Sequence, residues 1–194
     1  RPVGEIHRRY QAGAGQLRAR VNDQRFPAID PHGFREYGAR WRFGIDIGLD
    51  GLTEVGLAMG TLMQQRGLSP EIIVGHDFRS YSKAVKDAVA TGLAAAGCAV
   101  IDIGLALTPM AYFTRIDRGI AALAMVTASH SPDGWTGLKL GLEQGSTLLP
   151  EDMAQLRDIA MTRAWRKRPG GRIETLTGMD SRYAASFAGL ARPQ

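Results

Sequence analysis

Three short segments set the terms on which this chain can fold. Glu71 to Val74, Ala99 to Ile103 and Ala121 to Val126 run apolar on both faces, and strands of that kind belong in a sheet covered on both sides. The residues between them read as helices. "SKAVKDAVATGLAAAG" is alanine-rich, with Ser82 available as an N-cap and Gly97 as the residue that stops the helix. "TPMAYFTRIDRG" carries Pro109 where a first turn tolerates it and Gly119 where the helix should end. Upstream, Leu52, Val55, Leu57, Met59 and Leu62 recur at helical spacing ahead of Gly67. Downstream, "GWTGLKLG" predicts one more strand and Pro150 to Arg163 one more helix. Strand and helix alternate with short connections, which predicts an α/β fold: a mixed, mainly parallel sheet covered by helices on both faces.

The ends of the chain read differently. Residues 1–33 have weak periodicity with several Gly, Pro and Arg and read as a basic N-terminal arm, order beginning near Phe34. Residues 34–165 form the body, and 166–194 read as a linker, continuing the basic "RAWRKRPGGR", followed by a short strand or extended piece and a new helix with Tyr183, Phe187 and Leu190 on one face. The formal charge of +5 gathers largely at these ends and lacks the interleaved aromatics of a single-strand binder. A nucleic-acid partner is therefore not expected, and an anionic small molecule makes better use of the Arg and Lys near loops. No apolar stretch approaches the roughly 20 residues of a membrane-spanning helix, so no membrane role is expected. The single cysteine, Cys98, stands among small and apolar residues and reads as a buried free thiol in a reducing, cytoplasmic setting. The chain starts at Arg1 without a methionine, which reads as the loss or omission of something upstream.

One polar stretch stands out. "TASHSPDGWTGLK", Thr127 to Lys139, follows the apolar run "ALAMV". Taken alone, Ser, His, Ser, Pro, Asp and Gly make an ordinary turn signal. Its position favours chemistry, because ligands of open α/β sheets gather at the carboxyl ends of strands. Backbone N–H groups in such a loop can cradle a phosphate, and Lys139 returns on the following strand with a charge or a proton. There is no G-x-S-x-G elbow and no G-x-x-x-x-G-K-[ST] loop, and "GAGQLR" lacks the third glycine of a dinucleotide site. Four scattered histidines without H-x-x-x-H or C-x-x-C spacing make a zinc site unexpected.

"TASHSPDGWTGLK" closely resembles the phosphoserine loop of the α-D-phosphohexomutases, T-A-S-H-N-P followed by N-G-x-K or G-W-T-G-x-K. "FREYGARW", Phe34 to Trp41, is similar to the F-R-x-Y-D-I-R-G opening of the phosphomannomutase/phosphoglucomutase branch, where phosphoglucosamine mutases usually have F-G-T-D-G-I-R-G. "VGHDFRSYS" is similar to the V-G-x-D-x-R-x-S element, and "GLALTPMAYF" matches the G-x-x-x-T-P step. The resemblance covers about Phe34 to Arg163 and implies the family's first domain.

The resemblance implies reversible phosphoryl transfer between the 1- and 6-hydroxyls of a hexose phosphate through a bisphosphorylated intermediate, with hexose 1,6-bisphosphate as activator. It implies that Ser129 carries the phosphoryl group, a task suited to a hydroxyl that can accept and return it. Lys139 becomes the general acid/base, Arg40 supports the transferring phosphate, Tyr37 lies against the sugar, and His130 holds the loop or contacts phosphate. Mg²⁺ would bridge phosphorylated Ser129 to aspartates outside this chain. Asp77 and Arg79 read as a structural ion pair at the strand-to-helix turn, and His76 carries no assigned chemistry.

Three positions depart from the family pattern. Ser131 replaces asparagine, Gly38 replaces aspartate and Trp41 replaces glycine; Gly38 removes a carboxylate that could orient Arg40. Family members have four domains, with D-G-D-G-D-R in the second and G-E-x-S-G in the third, and neither occurs here. "MDSRYAASFAGLA" resembles the helix that opens the second domain. The resemblance thus implies a truncated mutase, inactive alone, whose partners are the remaining domains. The alternative is a stand-alone, non-catalytic module that binds phosphosugars or other proteins.

Overall fold

Each of the three doubly apolar segments is an interior strand of one seven-stranded sheet. The computed structural model describes residues 29–143 and 146–188; most of the basic arm and Leu190 lie outside that range. The strands are β1 (Phe34–Arg35), β2 (Gly38–Arg42), β3 (Glu71–His76), β4 (Ala99–Leu105), β5 (Ala122–Val126), β6 (Trp135–Gly141) and β7 (Arg172–Thr175). The helices are α1 (Leu49–Gln65), α2 (Ser82–Ala95), α3 (Thr108–Arg118), α4 (Pro150–Met161) and α5 (Met179–Ala185). The spatial order is β1-β2-β6-β5-β3-β4-β7. β5, β3, β4 and β7 run parallel, while β1, β2, β6 and β5 pair antiparallel. The sheet is mixed, as expected, with the antiparallel half larger than the sequence suggests.

The double apolarity of the interior strands has a direct cause in packing. Ile72, Val74, Val100, Ala124 and Val126 face one core beneath α1, α2 and α4. Ile73, Ile103, Leu123 and Met125 face the other, beneath α3 and α5. Gly97 and Gly119 follow α2 and α3 with left-handed φ values of 91° and 66°, as helix stops do.

Several local readings change. Ser82 does not cap α2: it is the first helical residue, and its hydroxyl donates to Asp77 Oδ1 at 2.5 Å. Order reaches back beyond Phe34, because Ile29 is buried and bridges Ile47, and Asp30 caps the 3-10 turn Pro31–Gly33. The segment holding Tyr37 and Arg40, to which the sequence assigned no element, is a hairpin. Ala39 and Trp41 point inward while Arg40 and Arg42 take the other face of β2, a period-two pattern hidden by the short length. Trp41 is fully buried, with its indole N–H donating to Asp30 O at 2.8 Å. Of the two readings after the basic linker the strand is the one formed: β7 extends the sheet beside β4, and α5 packs on α3 through Tyr183 and Phe113.

α1 and α2 meet backbone to backbone. A Cβ on Gly92 would stand 2.0 Å from Thr53 O, and one on Gly56 2.3 Å from Val89 O. In an exposed helix Gly→Ala gains about 1 kcal/mol. Here Gly92→Ala is expected to reverse that sign and cost about 1–3 kcal/mol through forced separation of the helices, read as a lower urea midpoint.

Candidate active site

The chain leaves β5 at Val126 and re-enters the sheet at Trp135, and hydrogen bonds hold both ends of the loop between. Thr127 N–H donates to Gly137 O at 3.0 Å, and Thr127 Oγ1 accepts from Ser129 N–H at 3.0 Å. Ser131 N–H donates to Ala128 O at 3.0 Å. At the far end Tyr81 Oη accepts from Gly134 N–H at 3.0 Å and donates to Trp135 O at 2.9 Å. The result places Ser129, a non-glycine residue, at φ +54°. That left-handed conformation costs an L-residue roughly 1–2 kcal/mol; among the described residues Arg163 is the other non-glycine residue with a positive φ.

Arg79 supplies the restraint. Its Nη2 donates to Ser129 O at 3.1 Å and to Ser131 O at 2.9 Å, while Nη1 pairs with Asp77. Asp77 also accepts from Arg79 N–H at 3.2 Å and from Ser82. Burial alone would raise the Asp77 pKa; hydrogen bonds from Ser82, Arg79 N–H and Thr127, with the Arg79 charge, outweigh it and hold the carboxyl below its ordinary value. The structural ion pair read from the sequence therefore exists, and its arginine also grips the serine loop.

Ser129 opens onto a cleft of 520 Å³ whose wall includes Arg35, Tyr37, Arg40, Thr127 and Lys139. Four of the residues singled out in the sequence thus share one cavity. Tyr37 sits in the β1–β2 turn and is 60% exposed. Lys139 projects from β6 at the position paired with Met125. His130 lies outside the cleft wall, exposed, with Nδ1 3.3 Å from Ser129 Oγ. Arg40 donates from Nη1 to Ser131 Oγ at 2.8 Å, and its buried Nε–H has no partner among the described residues. Burial lowers the Arg40 pKa, and the Arg35 and Arg79 charges lower it further.

Among the described residues, Arg35, Arg40 and Lys139 form no salt bridge, and Glu36 is the one carboxylate in the cleft wall. Three cations held without matched anions make a site suited to a phosphoryl group. Sequence reasoning missed Arg35, although it belongs to the same "FREY" run as Tyr37, and it gave Thr127 no role. A second, apolar cleft of 590 Å³ lies on the other side of the loop, sharing Thr127 and Ser129 and bordered by the exposed Phe78, Leu105 and Leu107.

Residues 31–167 match the family described as phosphoglucomutase/phosphomannomutase, alpha/beta/alpha domain I. The chain belongs to the phosphoglucomutase/phosphomannomutase family. It is 30% identical over 152 residues to a "Probable phosphoglucosamine mutase" of Methanothermobacter thermautotrophicus, covering 78% of this chain and 33% of that protein. It is 33% identical over 127 residues to a phosphoglucomutase/phosphomannomutase of Thermococcus kodakarensis, covering 65% of this chain and 28% of that protein. A crystal structure of a phosphoglucomutase/phosphomannomutase family protein from Burkholderia thailandensis shares the fold, with TM-score 0.74 and 23% identity over 83% of this chain and 36% of that one. The chain thus spans about a third of the length of these family members.

The family-linked Mg²⁺ finds no ready-made site here. Among the described residues no three His, Cys, Asp or Glu side chains converge, and Asp77 is committed to Arg79 and Ser82. These residues do not by themselves fit a divalent ion. Among the described residues, no helix is long and apolar enough to cross a membrane.

Proposed function

We propose that this chain is the serine-bearing domain of a phosphohexomutase of the phosphomannomutase/phosphoglucomutase branch, with Ser129 as the phosphoryl carrier. One observation carries the reading: an exposed serine hydroxyl in a strained, arginine-clamped loop faces a cleft with three cations that form no salt bridge among the described residues. In the forward half-reaction a hexose-phosphate hydroxyl attacks phosphorus. The Ser129 Oγ–P bond breaks and the sugar O–P bond forms; the Lys139 ammonium gives a proton to the departing Ser129 Oγ and regains one from the attacking hydroxyl, so that serine leaves as a neutral hydroxyl. Arg40 and Arg35 balance the charge spread over the phosphoryl oxygens, and Tyr37 offers a flat surface to the sugar ring. Reversal with the other phosphate of the bisphosphorylated sugar regenerates phosphorylated Ser129.

The F-R-x-Y run supports the mannose/glucose branch. The test is the intact mass, under denaturing conditions, of the protein from its natural source. An excess of one phosphoryl group mapped to Ser129 supports the carrier role, and an unmodified Ser129 in a protein that nevertheless interconverts hexose phosphates overturns it.

The purified 194-residue chain is expected to have negligible mutase activity, because its described residues lack a divalent-ion site. Robust turnover in a coupled assay with glucose 1-phosphate would refute that. The departures at positions 38 and 131 favour a second reading, a phosphosugar-binding module without turnover. It predicts saturable binding of glucose 1-phosphate with Ser129 never phosphorylated.

A further inference from the structure

We infer that Ser131 is a positioning residue: its hydroxyl fixes the Arg40 guanidinium in the Ser129 cleft, the role for which position 38 has no carboxylate. The backbone of Arg40 is paired with Gly137 in the middle of β2, but among the described residues its long side chain has one hydrogen bond, from Nη1 to Ser131 Oγ at 2.8 Å. Among the described residues no carboxylate pairs with it. The neighbouring charges, Arg35 and Arg79, repel it. A neutral acceptor is what holds it in place.

Position 38 has no room for the alternative. Gly38 has φ +154°, and a Cβ there would stand 2.6 Å from Leu138 O, so any side chain would push β2 from β6. A hydroxyl differs from a carboxylate in one useful way. It orients the guanidinium without cancelling its charge, leaving the full positive charge for an incoming phosphoryl group. Ser131 is itself held at both backbone ends, by Ala128 O on its N–H and by Arg79 on its C=O at 2.9 Å. Arg79 grips Ser129 O as well. Ser131 therefore joins the loop that presents Ser129 and the strand that presents Arg40 into one unit.

The inference rests on the phosphoryl reading of the cleft, and its test separates the two. In the 194-residue chain, ¹⁵N relaxation of the Arg40 Nε–H group reports side-chain order, and titration with inorganic phosphate reports the cleft. Ser131→Ala is expected to mobilise Arg40 and weaken phosphate binding about tenfold, the scale of a lost charge-assisted hydrogen bond, with the melting temperature little changed. Ser131→Thr and Ser131→Asn, which retain an acceptor oxygen, should restore both. In an Arg40→Ala background, Ser131→Ala should add nothing. Unchanged Arg40 order in Ser131→Ala, or additive losses in the double variant, would overturn the inference. Failure of wild type to bind phosphate would instead count against the phosphoryl reading, while Arg40 order still decides the role of Ser131.

Discussion

Ser129→Ala is expected to lower the kcat/KM of phosphohexose interconversion by the protein in its natural length by about ten-thousandfold or more, the scale on which a covalent nucleophile is lost. The same change should barely touch stability. The Ser129 side chain is exposed, alanine is no worse than serine at filling that space, and surface changes of this kind stay within about 0.5 kcal/mol. The backbone bonds that fix the loop involve Ser129 N–H and C=O, which alanine retains. A coupled assay with glucose 1-phosphate and mannose 1-phosphate, run beside a denaturant titration, reads both quantities. Activity within tenfold of wild type would end the carrier role of Ser129 whatever the stability shows.

Arg79→Leu should have the largest effect on stability. The Arg79 and Asp77 side chains are only 9% and 11% exposed, and breaking a nearly buried ion pair from one side costs about 3–5 kcal/mol because the other charge is stranded. Two loop carbonyls, of Ser129 and Ser131, lose their donor at the same time, so the strained φ of Ser129 is no longer held. Asp77→Asn combined with Arg79→Leu should recover part of the stability by removing the stranded charge, but none of the loop order. A double variant no more stable than Arg79→Leu alone would contradict this account.

The pair also gives stability a pH dependence. Its carboxyl is held below the ordinary value in the folded chain, so its contribution is complete above the unfolded carboxylate range near pH 4 and is lost as pH falls through the lower folded value. Wild type should therefore lose this contribution on acidification. In Arg79→Leu that acid limb should flatten, since protonation then relieves a stranded anion instead of breaking a pair.

Much of the sheet was readable because its cause is local. A strand that is apolar on both faces must be covered twice, and Ile72 to Val74 say so without reference to any other residue. Gly97 and Gly119 announce helix ends through their own φ values. The serine loop was readable locally as a turn at a strand end, while the resemblance to the phosphohexomutase loop is what singled out Ser129. β2 was not readable: it is a five-residue strand whose alternation is carried by two residues, Ala39 and Trp41, and a pattern so short does not separate a strand from a loop. Ser82 looked like a cap because its type and place fit one, but a hydrogen bond to Asp77 captured its hydroxyl.

What the sequence determined by itself was therefore the α/β class, the covered sheet and the serine at a strand's carboxyl end, all consequences of residue order within a dozen positions. The tertiary structure alone decided that Arg79 holds Ser129, 50 residues further along the chain, that Ser131 meets Arg40 across 91, and that β7 pairs with β4. Such contacts depend on where the sheet carries each backbone, and the geometry of a folded sheet is a property of all its strands together, not of any one stretch of chain.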